Sequence, residues 1–239
     1  MTATAATVPE AARRSVRSFV RREGRITPAQ QQALDRLWAL YGIDEPGTPY
    51  DAQQWFGRVA PLVVEIGFGS GDHLADSAAA RPDDNFLGIE VHRPGVGRLL
   101  QRVEREGLSN LRAVCADAVE VLSQVLPAGS VDEVQILFPD PWPKKRHHKR
   151  RLIQPAFAEV LARVLRPGGV LRLATDWADY AEHMRAVLDP LPQFENLAGI
   201  AGYLPRPDTR QTTRFEARGL RLGHRVFDLG YQRAGRVGA

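Results

Sequence analysis

The chain is almost without cysteine: Cys115 is the only one in 239 residues. A single thiol excludes an internal disulfide framework and any multi-cysteine metal site, and it fits a reducing compartment. Long hydrophobic runs are missing too. No stretch approaches the roughly eighteen apolar residues of a membrane-spanning helix, and no signal-peptide pattern opens the chain, so a cytoplasmic protein away from membranes is expected. Histidines are few. His73, His92, His183 and His224 lack ligand spacing, and His147 and His148 lie within a run of cations, so no metal site is expected.

What is present is a globular composition, 44% hydrophobic and 25% charged, in a length that suits one large domain better than two. The net charge is only +4, but its distribution is uneven: arginines crowd residues 13–25 and 206–225, and Lys144–Arg151 holds six Lys/Arg and two His in eight positions. One such run is as readily a solvated face as a binding surface. Three runs in one small domain point to a polyanionic partner.

Residues 1–12, rich in Ala and Thr, read as a disordered tail, 13–49 as a basic extension with a helix, and 50–239 as the main domain. Arg13–Arg22 superficially resembles an Arg-rich transit peptide. Thr27-Pro28 opens a helix running to Leu40, and Gly42–Pro49 reads as a linker. Short apolar runs at 62–66, 86–91, 111–115, 132–138 and 170–174 then alternate with helical stretches at 71–80, 95–106, 118–126, 151–166 and 177–188, and Arg225–Tyr231 adds a possible last strand. Such alternation predicts an α/β fold with a Rossmann-like, doubly wound, mostly parallel sheet covered on both faces. Ligands of such sheets bind at the carboxyl ends of the strands.

Candidate chemistry gathers at those ends. Leu62–Ile66 runs into Gly67-Phe68-Gly69-Ser70-Gly71, a G-x-G-x-G turn with Glu65 two residues before it. Glycines permit the positive φ of a tight turn and let a ligand approach the backbone. Glu90 ends the next run, where a carboxylate can accept both ribose hydroxyls, and Asp117 follows the third, within reach of an adenine amino group. After the fourth run, Phe138-Pro139-Asp140-Pro141-Trp142-Pro143 offers a proline-stiffened loop carrying an acid and an aromatic ring, and the cationic run follows at once.

The glycine turn, the acids and Leu165–Leu171 together resemble class I S-adenosylmethionine-dependent methyltransferases. Further stretches sharpen the resemblance to the bacterial single-subunit tRNA (guanine-N7)-methyltransferases. These are Arg17–Arg22, Glu65–Gly71, Gly88–His92, Phe138–Trp142 with Lys144, Ala174–Trp177 and Thr213–Glu216. The N-terminal match displaces the transit-peptide reading. The resemblance implies a methyltransferase domain over 50–239, with S-adenosylmethionine as cofactor and a tRNA guanine, at position 46 of the variable loop, as methyl acceptor.

By the same resemblance Glu65, Gly67, Gly69, Gly71, Glu90, Asp117 and Asp140 contact the cofactor, Asp140 is the catalytic residue, and Lys144, Asp176, Thr213, Arg214, Phe215 and Glu216 bind substrate. Pro143 and His148 depart from the His and Asn common in relatives, and Arg214 replaces a Lys found in some. Guanine N7 carries an in-plane lone pair and no proton, so its methylation needs no obligatory base. Asp140 is therefore expected to hold the guanine N1–H and amino edge, with Asp176 the rival for that role and proton abstraction by Asp140 the competing mechanism. Arg206, Arg210 and Arg214 are expected to grip phosphates opposite the basic loop. The alternatives are another class I methyltransferase with a different acceptor and a non-catalytic RNA-binding protein on the same fold. Monomer and homodimer stay equally open.

Overall fold

A computed structural model of the chain describes residues 18–19, 24–44, 49–199, 202–207, 210, 213–221, 223 and 225–235. The tail 1–12 and most of the Arg17–Arg22 motif lie outside the described residues. The first helix, α1 (Pro28–Tyr41), starts at a capping box. The Thr27 hydroxyl accepts from Gln30 N, the Gln30 side chain accepts from Thr27 N, and proline fills the first turn. Its buried Ala33, Leu34 and Leu37 join a core that also holds Val96, Leu99 and Leu100 of α4 (Arg93–Glu106). Hydrophobic burial thus makes this helix part of the main body.

Eight strands form one sheet. In chain order they are β1 (Gly42–Ile43), β2 (Leu62–Ile66), β3 (Asn85–Ile89), β4 (Leu111–Val114), β5 (Val131–Leu137), β6 (Leu165–Thr175), β7 (Phe194–Asn196) and β8 (Phe227–Arg233). Their spatial order is β1-β4-β3-β2-β5-β6-β8-β7, parallel except where β8 runs antiparallel to both neighbours. Gly42–Ile43, read as linker from sequence, instead pairs with Ala113 and Val114 and adds an edge strand. Leu165–Leu171, read as helix end, turn and strand, is absorbed into β6, which bulges at Arg166–Gly169 and resumes pairing at Val170.

The remaining helices are α2 (Ala52–Phe56), α3 (Asp72–Ala80), α5 (Ala118–Gln124), α6 (Pro155–Val164), α7 (Ala178–Leu188) and α8 (Arg214–Arg221). α2, α5, α6 and α7 cover one face of the sheet through a continuous apolar core, while α1, α3 and α4 cover the other only over β2, β3 and β4. Among the described residues, the apolar cover of that second face does not extend over β5, β6 and β8, contrary to the expectation of full coverage. There the strands alternate: Val134 and Ile136 enter the core, while Glu133, Gln135 and Arg172 face a cleft of about 350 Å³. Charge pairing suits this half-open face. Glu133 accepts from Arg81, which caps the C-terminus of α3, and from Arg172 of β6, each at 3.0 Å.

The strand order turns back at β2, whose two neighbours are β3 and β5. Register aligns Ile66 with Ile89 and Ile136, Ile89 with Val114, and Leu137 with Ala174. The segments after these strands consequently emerge along one edge, around the crevice where doubly wound sheets bind ligands.

Candidate active site

The edge expected to face the cofactor begins with the turn after β2. Gly67, Gly69 and Gly71 all have positive φ (74°, 58° and 75°), a backbone that side-chain-bearing residues resist. A Cβ built on Gly67 or Gly69 would meet nothing within 4 Å, so the turn has open space above it. Behind the turn the fit is tight: a Cβ on Gly95, in the first turn of α4, would fall 2.1 Å from the Gly69 carbonyl oxygen. Sequence reading passed over Gly95, whose lack of a side chain lets α4 brace the turn.

The three acids arrive at this edge by different means. Buried Glu65 meets the Nδ1 of buried His73 at 2.8 Å. Glu90, also buried, accepts from Gly69 N at 2.8 Å through one oxygen and from Val91 N and His92 N at 2.7 and 2.9 Å through the other. It thereby ties the glycine turn to the end of β3. Asp117 caps α5, accepting from Val119 N at 3.0 Å. An open, glycine-floored turn rimmed by carboxylates fits S-adenosylmethionine, a sulfonium cation with vicinal ribose hydroxyls and no phosphate.

Across the switch point, β5 delivers Phe138–Trp142. Phe138 and Trp142 hold φ at 53° and 46°, values that cost a bulky residue roughly 1–3 kcal/mol and persist only where surroundings impose them. The imposing contacts are visible. Phe138 N donates to Ala174 O at 2.8 Å, and its ring lies under the Arg210 guanidinium at 5.6 Å. The Trp142 indole donates to Ser18 O at 3.1 Å and stacks beneath Arg150 at 4.5 Å. Asp140 is exposed at the tip of this braced loop.

The cationic run forms a 3₁₀ turn, Lys145–Arg150, with Lys144 at its N-cap. Lys144, Lys145, Arg146 and Lys149 are exposed. Slight burial and the surrounding charges of Arg146, Arg150, Lys144 and Lys149 hold His147 below its ordinary value, so His147 adds little to the loop's charge near neutral pH. Arg151 differs from the rest of the run. It is only 2% exposed, donates to Pro141 O at 3.0 Å, pairs with Asp179 and lies over the Tyr180 ring at 4.9 Å. Truncating Arg151→Ala is expected to lower stability by about 1.5–3 kcal/mol through lost charge-assisted hydrogen bonds. Urea denaturation of that variant against Lys145→Ala, which should stay within about 0.5 kcal/mol of wild type, checks the distinction.

The C-terminal segment, expected to face the acceptor, packs beside the end of β6. Asp176, just past β6, touches α8: a Cβ on Gly219 would fall 2.7 Å from its carboxylate. Thr213 and Glu216 form a reciprocal cap at the start of α8, Glu216 N donating to Thr213 Oγ1 at 3.1 Å and Thr213 N to Glu216 Oε2 at 3.4 Å. Glu216 is completely buried and binds Arg206 at 2.7 Å and Arg210 at 2.8 Å, while Arg210 also reaches Asp228 of β8 at 3.1 Å. Arg210, expected at phosphates, is thus a buried clamp, and Arg206 is engaged by the same acid. The T-x-x-E spacing was the available signal for this cap. The side chains of Arg214 and Phe215 lie outside the described residues. Cys115 is half-buried against the α1/α3/α4 core.

Strand order, one antiparallel strand near the edge, and an acid-rimmed glycine turn at the switch point define a class I S-adenosylmethionine-dependent methyltransferase. The family model "Putative methyltransferase" matches residues 59–229. The chain is 56% identical to a tRNA (guanine-N(7)-)-methyltransferase of Alkalilimnicola ehrlichii over 92% of this chain and 94% of that one. It is 52% identical to one of Cronobacter sakazakii over 92% of each. Among solved structures, the 16S rRNA methyltransferase KamB shares the fold, with a TM-score of 0.57 at 18% identity over 78% of this chain and 95% of that one. The chain belongs to the tRNA (guanine-N(7)-)-methyltransferase family.

Proposed function

We propose that this protein transfers the methyl group of S-adenosylmethionine to N7 of a guanine in tRNA, at position 46 of the variable loop, giving 7-methylguanosine in the cytoplasm. The observation that carries this reading is the meeting at one switch point of three parts: an open glycine turn rimmed by Glu65, Glu90 and Asp117, the braced loop of Asp140, and the exposed cations Lys144, Lys145, Arg146 and Lys149.

When bound, the cofactor supplies an electrophilic methyl group on a sulfonium. The residues of this chain do the rest by positioning. Glu90 is already fixed by three backbone amides and takes the ribose. Asp117 faces adenine from the end of β4. Asp140 holds the N1–H and amino edge of guanine, which leaves N7 directed at the methyl. Orientation of this kind can supply roughly 7–11 kcal/mol of the barrier. Asp176, backed by α8, bounds the acceptor from the opposite side.

Electrostatics make the reading testable without chemistry. Replacing Lys144, Lys145 and Arg146 together by Ala is expected to weaken tRNA binding and make its logarithmic salt slope shallower by roughly 2–3 units, with cofactor affinity unchanged. Filter binding of a tRNA transcript across a salt series, beside a cofactor titration, reads both. An unaltered slope would place the phosphate contacts elsewhere. Equal loss of tRNA and cofactor would point to misfolding.

A further inference from the structure

One buried charged pair at the site lies outside the roles derived above. His73 is the second residue of α3, and Glu65 the fourth of β2, and the glycine turn folds the helix start back onto the strand end. Their side chains meet at 2.8 Å, each less than a tenth exposed. His73 also lines the cleft beside β5, β6 and β8, whose walls carry Asp76, Arg81, Glu133, Arg172, Arg210 and Asp228 among apolar residues. The imidazole therefore stands between the cofactor edge and the Arg210 clamp of the acceptor segment.

We propose that His73 is a positioning residue of the cofactor pocket: its ring fixes the Glu65 carboxylate, and its proton sets how strongly that carboxylate attracts a cationic cofactor. This rests on the reading of Glu65 as a cofactor contact. A buried carboxylate with a neutral donor beside it presents a full negative charge to the pocket. The same carboxylate beside an imidazolium presents a pair with little net charge. Of the groups facing the ring, burial pushes His73 down, but the hydrogen bond and charge of Glu65 outweigh it and hold His73 above its ordinary value. Asp76 from its own helix adds to the rise, and Arg210 opposes it. Glu133, Arg81 and Arg172, farther along the cleft, largely satisfy one another. Linkage gives the sign. The imidazolium dominates below the raised pKa, so cofactor affinity is weaker there and strengthens as pH rises through it; reciprocally, bound cofactor lowers that pKa.

The test is S-adenosylmethionine titration by calorimetry between pH 6 and 8.5, on wild type and on His73→Gln, which keeps an amide donor for Glu65 but cannot titrate. Affinity in wild type is expected to rise about three- to tenfold over that window, a change on the scale of up to one pKa unit of coupling, beyond whatever rise His73→Gln shows. Superimposable pH profiles for the two proteins would overturn the proposal. NMR titration of the wild-type histidine rings covers the case in which the variant does not fold. The His73 midpoint should stand above 6.5 in the free protein and fall on saturation with cofactor, and a midpoint that ignores the cofactor overturns the proposal equally. Absence of any binding heat at any pH would instead reject the cofactor reading on which it rests.

Discussion

Asp140→Asn is expected to lower methyl transfer by about 10²-fold or more while leaving the fold nearly intact. The side chain is exposed, so the substitution costs little stability. The loop is held by the Trp142–Ser18, Arg150–Trp142 and Arg151–Pro141 contacts, none of which involves the Asp140 carboxylate. What changes is the partner offered to guanine. An amide can accept one hydrogen bond where the carboxylate accepts two, and it directs an NH₂ at a donor edge; misplacement of about 1 Å costs on this order. Because N7 bears no proton, the pH–rate profile of the variant should keep its shape. Loss of a carboxylate ionisation from that profile would favour proton abstraction by Asp140 over positioning.

Glu216→Ala is expected to be the most destabilising single change, by about 3–5 kcal/mol, because it removes the shared partner of two arginines, one of them buried. It also removes half of the cap on α8. Arg210 would be left with Asp228 alone, and Asp228 is a poorer partner. Burial pushes its carboxyl up and Arg210 only partly offsets that rise; losing the Glu216 charge relieves a lesser part of it. Chemical denaturation of Glu216→Ala should show the loss, and Glu216→Gln, which keeps the volume and a hydrogen-bond acceptor, should recover part of it. If Glu216→Ala were as stable as wild type but deficient in tRNA binding, the residue would be a substrate contact and the clamp incidental.

The parallel strands and their helices were legible because each apolar run is short and rich in Val, Leu and Ile. Coverage of the sheet was misjudged where the period changes. In β5 the alternation of Glu133 and Gln135 with Val134 and Ile136 marks a face left polar, and the apolar run from Val134 to Phe138 masked it. Gly42–Ile43 carries no strand signal of its own; its pairing is imposed by β4. The helix expected from 151 begins at Pro155 instead, since the preceding cations wind a separate 3₁₀ turn.

The positions of Glu90, Asp117, Asp140 and Asp176 along one edge were legible because each follows an apolar run. Which cations are free was not. Arg151 belongs to the basic run by sequence but to the interior by its contacts with Pro141, Asp179 and Tyr180. Arg210 is claimed by Glu216 and Asp228. Such partners lie at least six residues away along the chain, and only the fold brings them together. Thr213–Glu216 shows how one motif can carry two meanings: Thr213 and Glu216 cap and anchor a helix, and that rigid support is what would present the neighbouring positions to tRNA.

The most direct test of methyl transfer to tRNA guanine N7 is to incubate the purified protein with labelled S-adenosylmethionine and an unmodified tRNA transcript, digest the product, and identify the nucleoside by mass spectrometry. The expected result is 7-methylguanosine, confined to the variable loop. A different methylated nucleoside, or none from a protein that binds the cofactor while an established enzyme modifies the same transcript, would contradict it.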